Sequence, residues 1–178
     1  MKSKTIHKLE HVLNNLFDCL IIFVLLLLLL SNISNNVFHR PILAVVKGIS
    51  MYPLLEEGDI VFIDPMYFSS INVGDVIVFL NDENQFVVHR VVAIIRCNGT
   101  ELYVTKGDNK PTLDPYDIVS RTSIRCPDRS EAVVEGVYKG TNLMEVLKLC
   151  RGITLDRIVG KVVEIWNMPI KIVGLWIS

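Results

Sequence analysis

The chain carries almost no excess charge of either sign: 18 Lys and Arg stand against 19 Asp and Glu in 178 residues, a formal net charge of -1. Nucleic-acid-binding domains are usually basic, so no nucleic acid is expected as a partner. Cysteine is scarce, with four residues at 19, 97, 126 and 150, and no Cys-x-x-Cys spacing that would clamp zinc or mark a dithiol redox site. Cys19 falls in an apolar run, which leaves three thiols elsewhere and at most one internal bridge among them; buried free thiols are the expectation. Metal-ligand and phosphate-binding motifs are missing too, so no cofactor or metal is assigned. Outside one leucine run there are no repeats or low-complexity tracts.

What the chain has in quantity is apolar surface. It is 51% hydrophobic and 21% charged, with a mean hydropathy of +0.42, oilier than a usual soluble domain at about 45–50% apolar. Some of that surface must face lipid. Residues 16–33 read LFDCLIIFVLLLLLLSNI, and at ~1.5 Å per residue such a helix covers ~27 Å, close to a bilayer core of ~30 Å. A cleavable signal peptide is the competing reading, but no small-x-small site follows Leu30. A buried core helix is disfavoured because the leucines at 25–30 leave no polar face. Lys2, Lys4 and Lys8 precede the run, with His39, Arg40 and Lys47 after it, so an N-in anchor is expected. The expected organisation is a cytoplasmic segment 1–15, a transmembrane anchor 16–33, a linker 34–40 and an extracytoplasmic body 41–178. Sequons at Asn32 and Asn98 are compatible with that orientation.

After Pro41 the pattern changes to short Val-, Ile- and Phe-rich stretches punctuated by Gly, Asp and Asn. Strands are expected at 42–47, 59–64, 75–80, 86–95, 101–105, 131–137 and 158–165. One helix is expected at 142–150, with Thr141 as N-cap and Leu143, Val146, Leu147 and Cys150 on its apolar face. The fold class is therefore mostly β, with few helices, behind one N-terminal span. The tail, IWNMPIKIVGLWIS, is too short to cross a bilayer and reads as a strand plus an interfacial patch around Trp166 and Trp176, or as core.

Three segments hold the polar groups of a nucleophilic hydrolase: Ser50 in KGISMYPLLEEGD, His89 in FVVHRVV, and Asp108 and Asp114 in TKGDNKPTLDPYD. A serine hydroxyl needs a base, and the base needs an orienting carboxylate. Taken singly each residue has an ordinary reading: Ser50, Asp108 and Asp114 as turn residues, His89 as a core histidine. Together, SMYP, GD, HR and KGDN in that order, over about residues 41–118, closely resemble type I signal peptidase.

That resemblance implies a signal-peptidase-like β-rich fold and a membrane-anchored serine endopeptidase that removes N-terminal signal peptides from secretory preproteins after a small-x-small motif. The bacterial form of the family uses a lysine base where the archaeal and endoplasmic-reticulum form has histidine. With His89 at that position, the chain resembles the latter. By resemblance Ser50 is the nucleophile, His89 the general base, Asp114 the third member and Asp108 a support for the site. Lys106 is an alternative base, but a lysine in a turn beside Asp108 is expected to stay charged. Met51 and Leu54 are candidate substrate-pocket walls, or simple core. The substrate is expected to lie extended beside an edge strand, and the short stretch between the span and Ser50 to hold the site near the bilayer. Implied partners are preprotein signal peptides, membrane lipid and the protein translocation machinery; the implied location is the cell membrane, or the reticulum membrane in a eukaryote. One departure stands out: the family's Ser-Gly-Ser-Met is Gly48-Ile49-Ser50-Met51 here, so a hydroxyl that serves the oxyanion hole is missing. That motivates the alternative of a non-catalytic anchored subunit that binds preproteins. A self-cleaving repressor-like protease of the same β fold is a third reading, opposed by His89 and the leucine run.

Overall fold

A computed structural model describes residues 2–38, 41–65, 70–81, 83–114, 124–126, 132–166 and 168–174, with side chains in the first stretch at 11, 13–30, 32 and 33. The chain divides into two compact units, Met1–Ile42 and Leu43–Ser178.

The first unit is a single helix, α1 (Lys2–Phe38). Its sequence contains neither Pro nor Gly, and its Leu- and Ile-rich middle favours continuous helix. The helix continues through residues 34–38, a stretch whose Asn and Ser content reads as linker. Leu13–Leu30 has a mean hydropathy of 2.5 and none of it is buried, so it is a candidate membrane span by length and composition. An apolar surface exposed all round has no protein partner within the unit.

The second unit is mostly β. Its main sheet has eight strands, and its central path runs β1 (Leu43–Val45), β2 (Ile60–Asp64), β9 (Ile158–Val162), β3 (Val76–Leu80), β4 (Phe86–Cys97) and β5 (Thr100–Lys106). Off that path β7 (Val133–Val137) pairs with β4 and β12 (Lys171–Ile172) pairs with β2. Two small two-stranded sheets join β6 (Ile124–Arg125) to β8 (Arg151–Gly152), and β10 (Glu164–Ile165) to β11 (Met168–Pro169). Every strand pair is antiparallel.

Packing explains the element types. The first four residues of β3 are all buried, as a central strand between β4 and β9 requires. Val61, Ile63, Val76, Val78, Val159 and Val162 form one core cluster across β2, β3 and β9. Gly160 permits the closest approach there, since a Cβ on it would lie 2.5 Å from the Asp64 carbonyl oxygen. The β4–β5 hairpin turns on Asn98 and Gly99, both at positive φ, between the paired Cys97 and Thr100, as a two-residue hairpin demands.

Several expectations shift. The helix, α2, spans Leu143–Leu149 and is capped by Asn142, whose side chain accepts from the Met144 N–H, rather than by Thr141. Its buried residues are Val146 and Leu149, while Leu143 is exposed. The expected strand 158–165 breaks at Val163, which bonds back to Phe62 before β10 begins. The tail folds as the β10–β11 hairpin followed by β12, with Trp166 exposed at the hairpin turn; Trp176 lies outside the described residues. Cys97, Cys126 and Cys150 are buried free thiols, as expected, whereas Cys19 is exposed on α1.

Candidate active site

Ser50 sits in the turn that leaves β1. The Tyr52 N–H donates to the Ile49 carbonyl and the Leu55 N–H to that of Met51, closing tight turns around the serine. Met51 then points into the core beside Val46 and Leu55, while Leu54 is half-buried against the same cluster. Ile49 and Tyr52, on either side of Ser50, are exposed.

His89 lies on β4, opposite Ile77 of β3, with its ring 6.3 Å from that of Phe79. The strand leaves the imidazole only 2% exposed, and Asp114 is equally buried. His89 Nε2 is 3.0 Å from Ser50 Oγ, and Nδ1 is 2.6 Å from Asp114 Oδ2. An ionised carboxylate only accepts, which assigns the ring hydrogen to Nδ1 and leaves Nε2 to accept from the serine hydroxyl. Residues 39 and 25 positions apart thus form one chain of polar contacts.

Asp108 does not touch the imidazole. Its carboxylate takes a two-pronged bond from Arg90, Nε at 2.9 Å and a terminal nitrogen at 2.7 Å. The other terminal nitrogen of Arg90 donates to the Gly74 carbonyl at 2.7 Å, and the guanidinium lies 5.1 Å from the Tyr138 ring centroid. The planar fork of arginine suits this paired geometry. Asn109, next in the chain, reaches the serine turn from the opposite side: its N–H donates to the Ser50 carbonyl at 2.8 Å and its side-chain amide to that of Ile49 at 3.1 Å. Arg90, Asp108 and Asn109 therefore tie the histidine strand to the serine turn. Gly107 leaves room for that arrangement, because a Cβ there would meet the Ser50 carbonyl oxygen at 2.7 Å and His89 Nε2 at 3.0 Å.

Sequence reading singled out Asp108 but not the roles of Arg90, Gly107 and Asn109 as struts; the HR and KGDN words contained them. Glu164 also escaped it. Burial pushes its carboxyl up, Arg90 opposes this and Asp75 adds to it, and its Oε1 has no hydrogen-bond partner among the described residues. Gly48 adopts φ +79 with open space around the position of a Cβ, so its backbone follows a path that a serine would strain to adopt. Among the described residues no group of His, Cys, Asp and Glu forms a candidate metal site.

Residues 33–110 match the family model described as Peptidase S24-like. Similar curated proteins include signal peptidases. One is signal peptidase I W of Bacillus subtilis, 33% identical over 99 residues that cover 53% of this chain and 52% of that protein. Another is the signal peptidase complex catalytic subunit SEC11 of Candida tropicalis, 38% identical over 86 residues covering 48% and 49%. The subunit SEC11C of Canis lupus familiaris is 34% identical over 78 residues covering 43% and 40%. The chain spans about half the length of the first two of these relatives. These matches bear out the resemblance to type I signal peptidase of the archaeal and endoplasmic-reticulum type.

Proposed function

We propose that this protein is a membrane-anchored serine endopeptidase that removes signal peptides from secretory preproteins, with Ser50 as nucleophile, His89 as general base and Asp114 as its orienting carboxylate. The observation that carries this reading is the unbroken contact chain, 3.0 Å from Ser50 to His89 and 2.6 Å from His89 to Asp114. His89 Nε2 takes the Ser50 proton as the oxygen attacks the peptide carbonyl, and returns it to the leaving amine. Asp114 holds the imidazole in the required tautomer and stabilises the imidazolium. Backbone N–H groups around Ser50 serve the oxyanion in place of the missing hydroxyl at position 48.

Substrate adds as an extended strand, with Leu54 and the exposed Ile49 and Tyr52 limiting side-chain size; buried Met51 acts from beneath as packing. The candidate span Leu13–Leu30 anchors the chain N-in, placing the body outside the cytoplasm, where preproteins emerge from translocation machinery. Lipid is the further partner of the tail.

Gly48 favours a second reading, an anchored subunit of the same fold that binds preproteins without cutting. The purified 178-residue chain incubated with a preprotein separates the two. Cleavage by the native chain is expected, with Ser50→Ala and His89→Ala each slower by about three orders of magnitude or more. Equal cleavage by all three defeats the catalytic assignment, and binding without cleavage by the native chain establishes the second reading.

A further inference from the structure

The three cysteines of the body, far apart in sequence, share one core cluster with Leu102, Leu113, Val146 and Leu149. Cys126 lies near both Cys97 and Cys150, each of which acts on its thiol. The pairing is not symmetric. The β6–β8 register sets Ile124 against Gly152 and Arg125 against Arg151, so the next position sets Cys126 against Cys150. The Cys126 N–H donates to the Cys150 carbonyl at 3.0 Å, which continues the ladder by that pair. Cys150 is the left-handed C-cap of α2 rather than a strand residue, and the 3.0 Å backbone bond keeps it and Cys126 within the Cα separation of about 4.4–6.8 Å that a disulfide bridges.

We propose that Cys126 and Cys150 form a redox site that closes as a disulfide when the protein meets a small disulfide oxidant, with Cys97 remaining a thiol. The two thiols attack in sequence: one displaces a thiolate from the oxidant to give a mixed disulfide, and the second displaces the other. Two protein sulfurs lose two electrons, the oxidant is reduced to two small thiols, and the two protons pass to them.

Burial pushes the Cys126 thiol up, with further upward contributions from Cys97 and Cys150, so the closed core disfavours the thiolate that must attack. Exchange therefore proceeds through opening of the β6–β8 ladder, which has two registered residue pairs besides the cysteines among the described residues. Once formed, the bridge closes a loop containing β7 and α2, ties its ends beside the two-stranded β6–β8 sheet and restricts the unfolded chain. The inference does not depend on the proteolytic function.

The 178-residue chain in detergent micelles, incubated with excess oxidised glutathione under mild denaturant and then returned to buffer, tests it. Trypsin cleavage after Arg96, Arg125, Lys148 and Arg151 puts the three cysteines on separate peptides. The expected map, without reduction, links the Cys126 and Cys150 peptides and leaves Cys97 open to alkylation. The melting temperature should rise by about 5–10 °C, an increase lost in Cys126→Ala and retained in Cys97→Ala. A link from Cys126 to Cys97, glutathione adducts alone, or three alkylatable body thiols after oxidation would each overturn the proposal, and the peptide map of the native chain decides even where a variant fails to fold.

Discussion

At the scale of single residues, the candidate site depends on a close approach that only a hydrogen side chain permits. A methyl group at Gly107 would lie 2.7 Å from the Ser50 carbonyl oxygen and 3.0 Å from His89 Nε2, so the serine turn and the end of β5 must separate to admit it. Displacements of ~1 Å at a reacting centre cost about 100-fold in rate. Gly107→Ala should therefore lower kcat/KM for preprotein cleavage by about that factor while the β-rich circular dichroism spectrum persists; unchanged kcat/KM would show that the turn yields without consequence. The sequence made Ser50, His89 and both aspartates candidates because their neighbouring words were recognisable. It could not decide between the carboxylates by contact, since both sit in turn-forming stretches. Distances divide them: Asp114 lies against Nδ1, and Asp108 is engaged by Arg90.

At the scale of elements, β12 is short, two residues, and gains attachment through a buried charge. Lys171 Nζ is 2.6 Å from Asp59 Oδ2, and the same carboxylate accepts from the N–H groups of Glu56 and Gly174. Burial alone would push the Asp59 carboxyl up, but the bonds from Glu56, Lys171 and Gly174 outweigh it and hold the carboxyl below its ordinary value. A lowered folded-state pKa contributes stability that is present above the unfolded value of ~3.9 and is lost as pH falls through the folded value. Melting temperature should accordingly drop as pH is taken below about 4. Asp59→Asn should melt lower at neutral pH and lack that part of the acid dependence; an identical pH profile in the variant would remove Asp59 from this role. The strands themselves were legible because alternation and turn residues are local. The Asp59–Lys171 tie, 112 residues apart, was not.

At the scale of the whole molecule, two stretches of exposed apolar surface stand out among the described residues. One is the Leu13–Leu30 stretch of α1; the other is the C-terminal β10–β12 region, where Trp166 is 90% exposed and Ile165, Met168, Ile172 and Val173 are exposed as well. Tryptophan favours the headgroup region of a bilayer, and apolar neighbours add buried area on contact. A body beginning at residue 41, which contains the compact unit Leu43–Ser178, should co-sediment with phosphatidylcholine vesicles, and Trp166→Ala should weaken that binding severalfold. Absence of binding by the unaltered body would assign the tail to ordinary surface.

The sequence by itself determined the apolar span, the strand-rich body and the order of the segments that resemble signal peptidase, because hydrophobic runs, period-two alternation and short motifs are written in neighbouring residues. The resemblance already put Asp114 ahead of Asp108, and the tertiary structure supplied the contact; it alone decided which residues brace the serine turn, and that three scattered cysteines share one core with Cys126 beside Cys150. Those outcomes depend on strand register and on contacts between residues dozens of positions apart, and a shift of one residue in pairing would turn each side chain to the opposite face of the sheet.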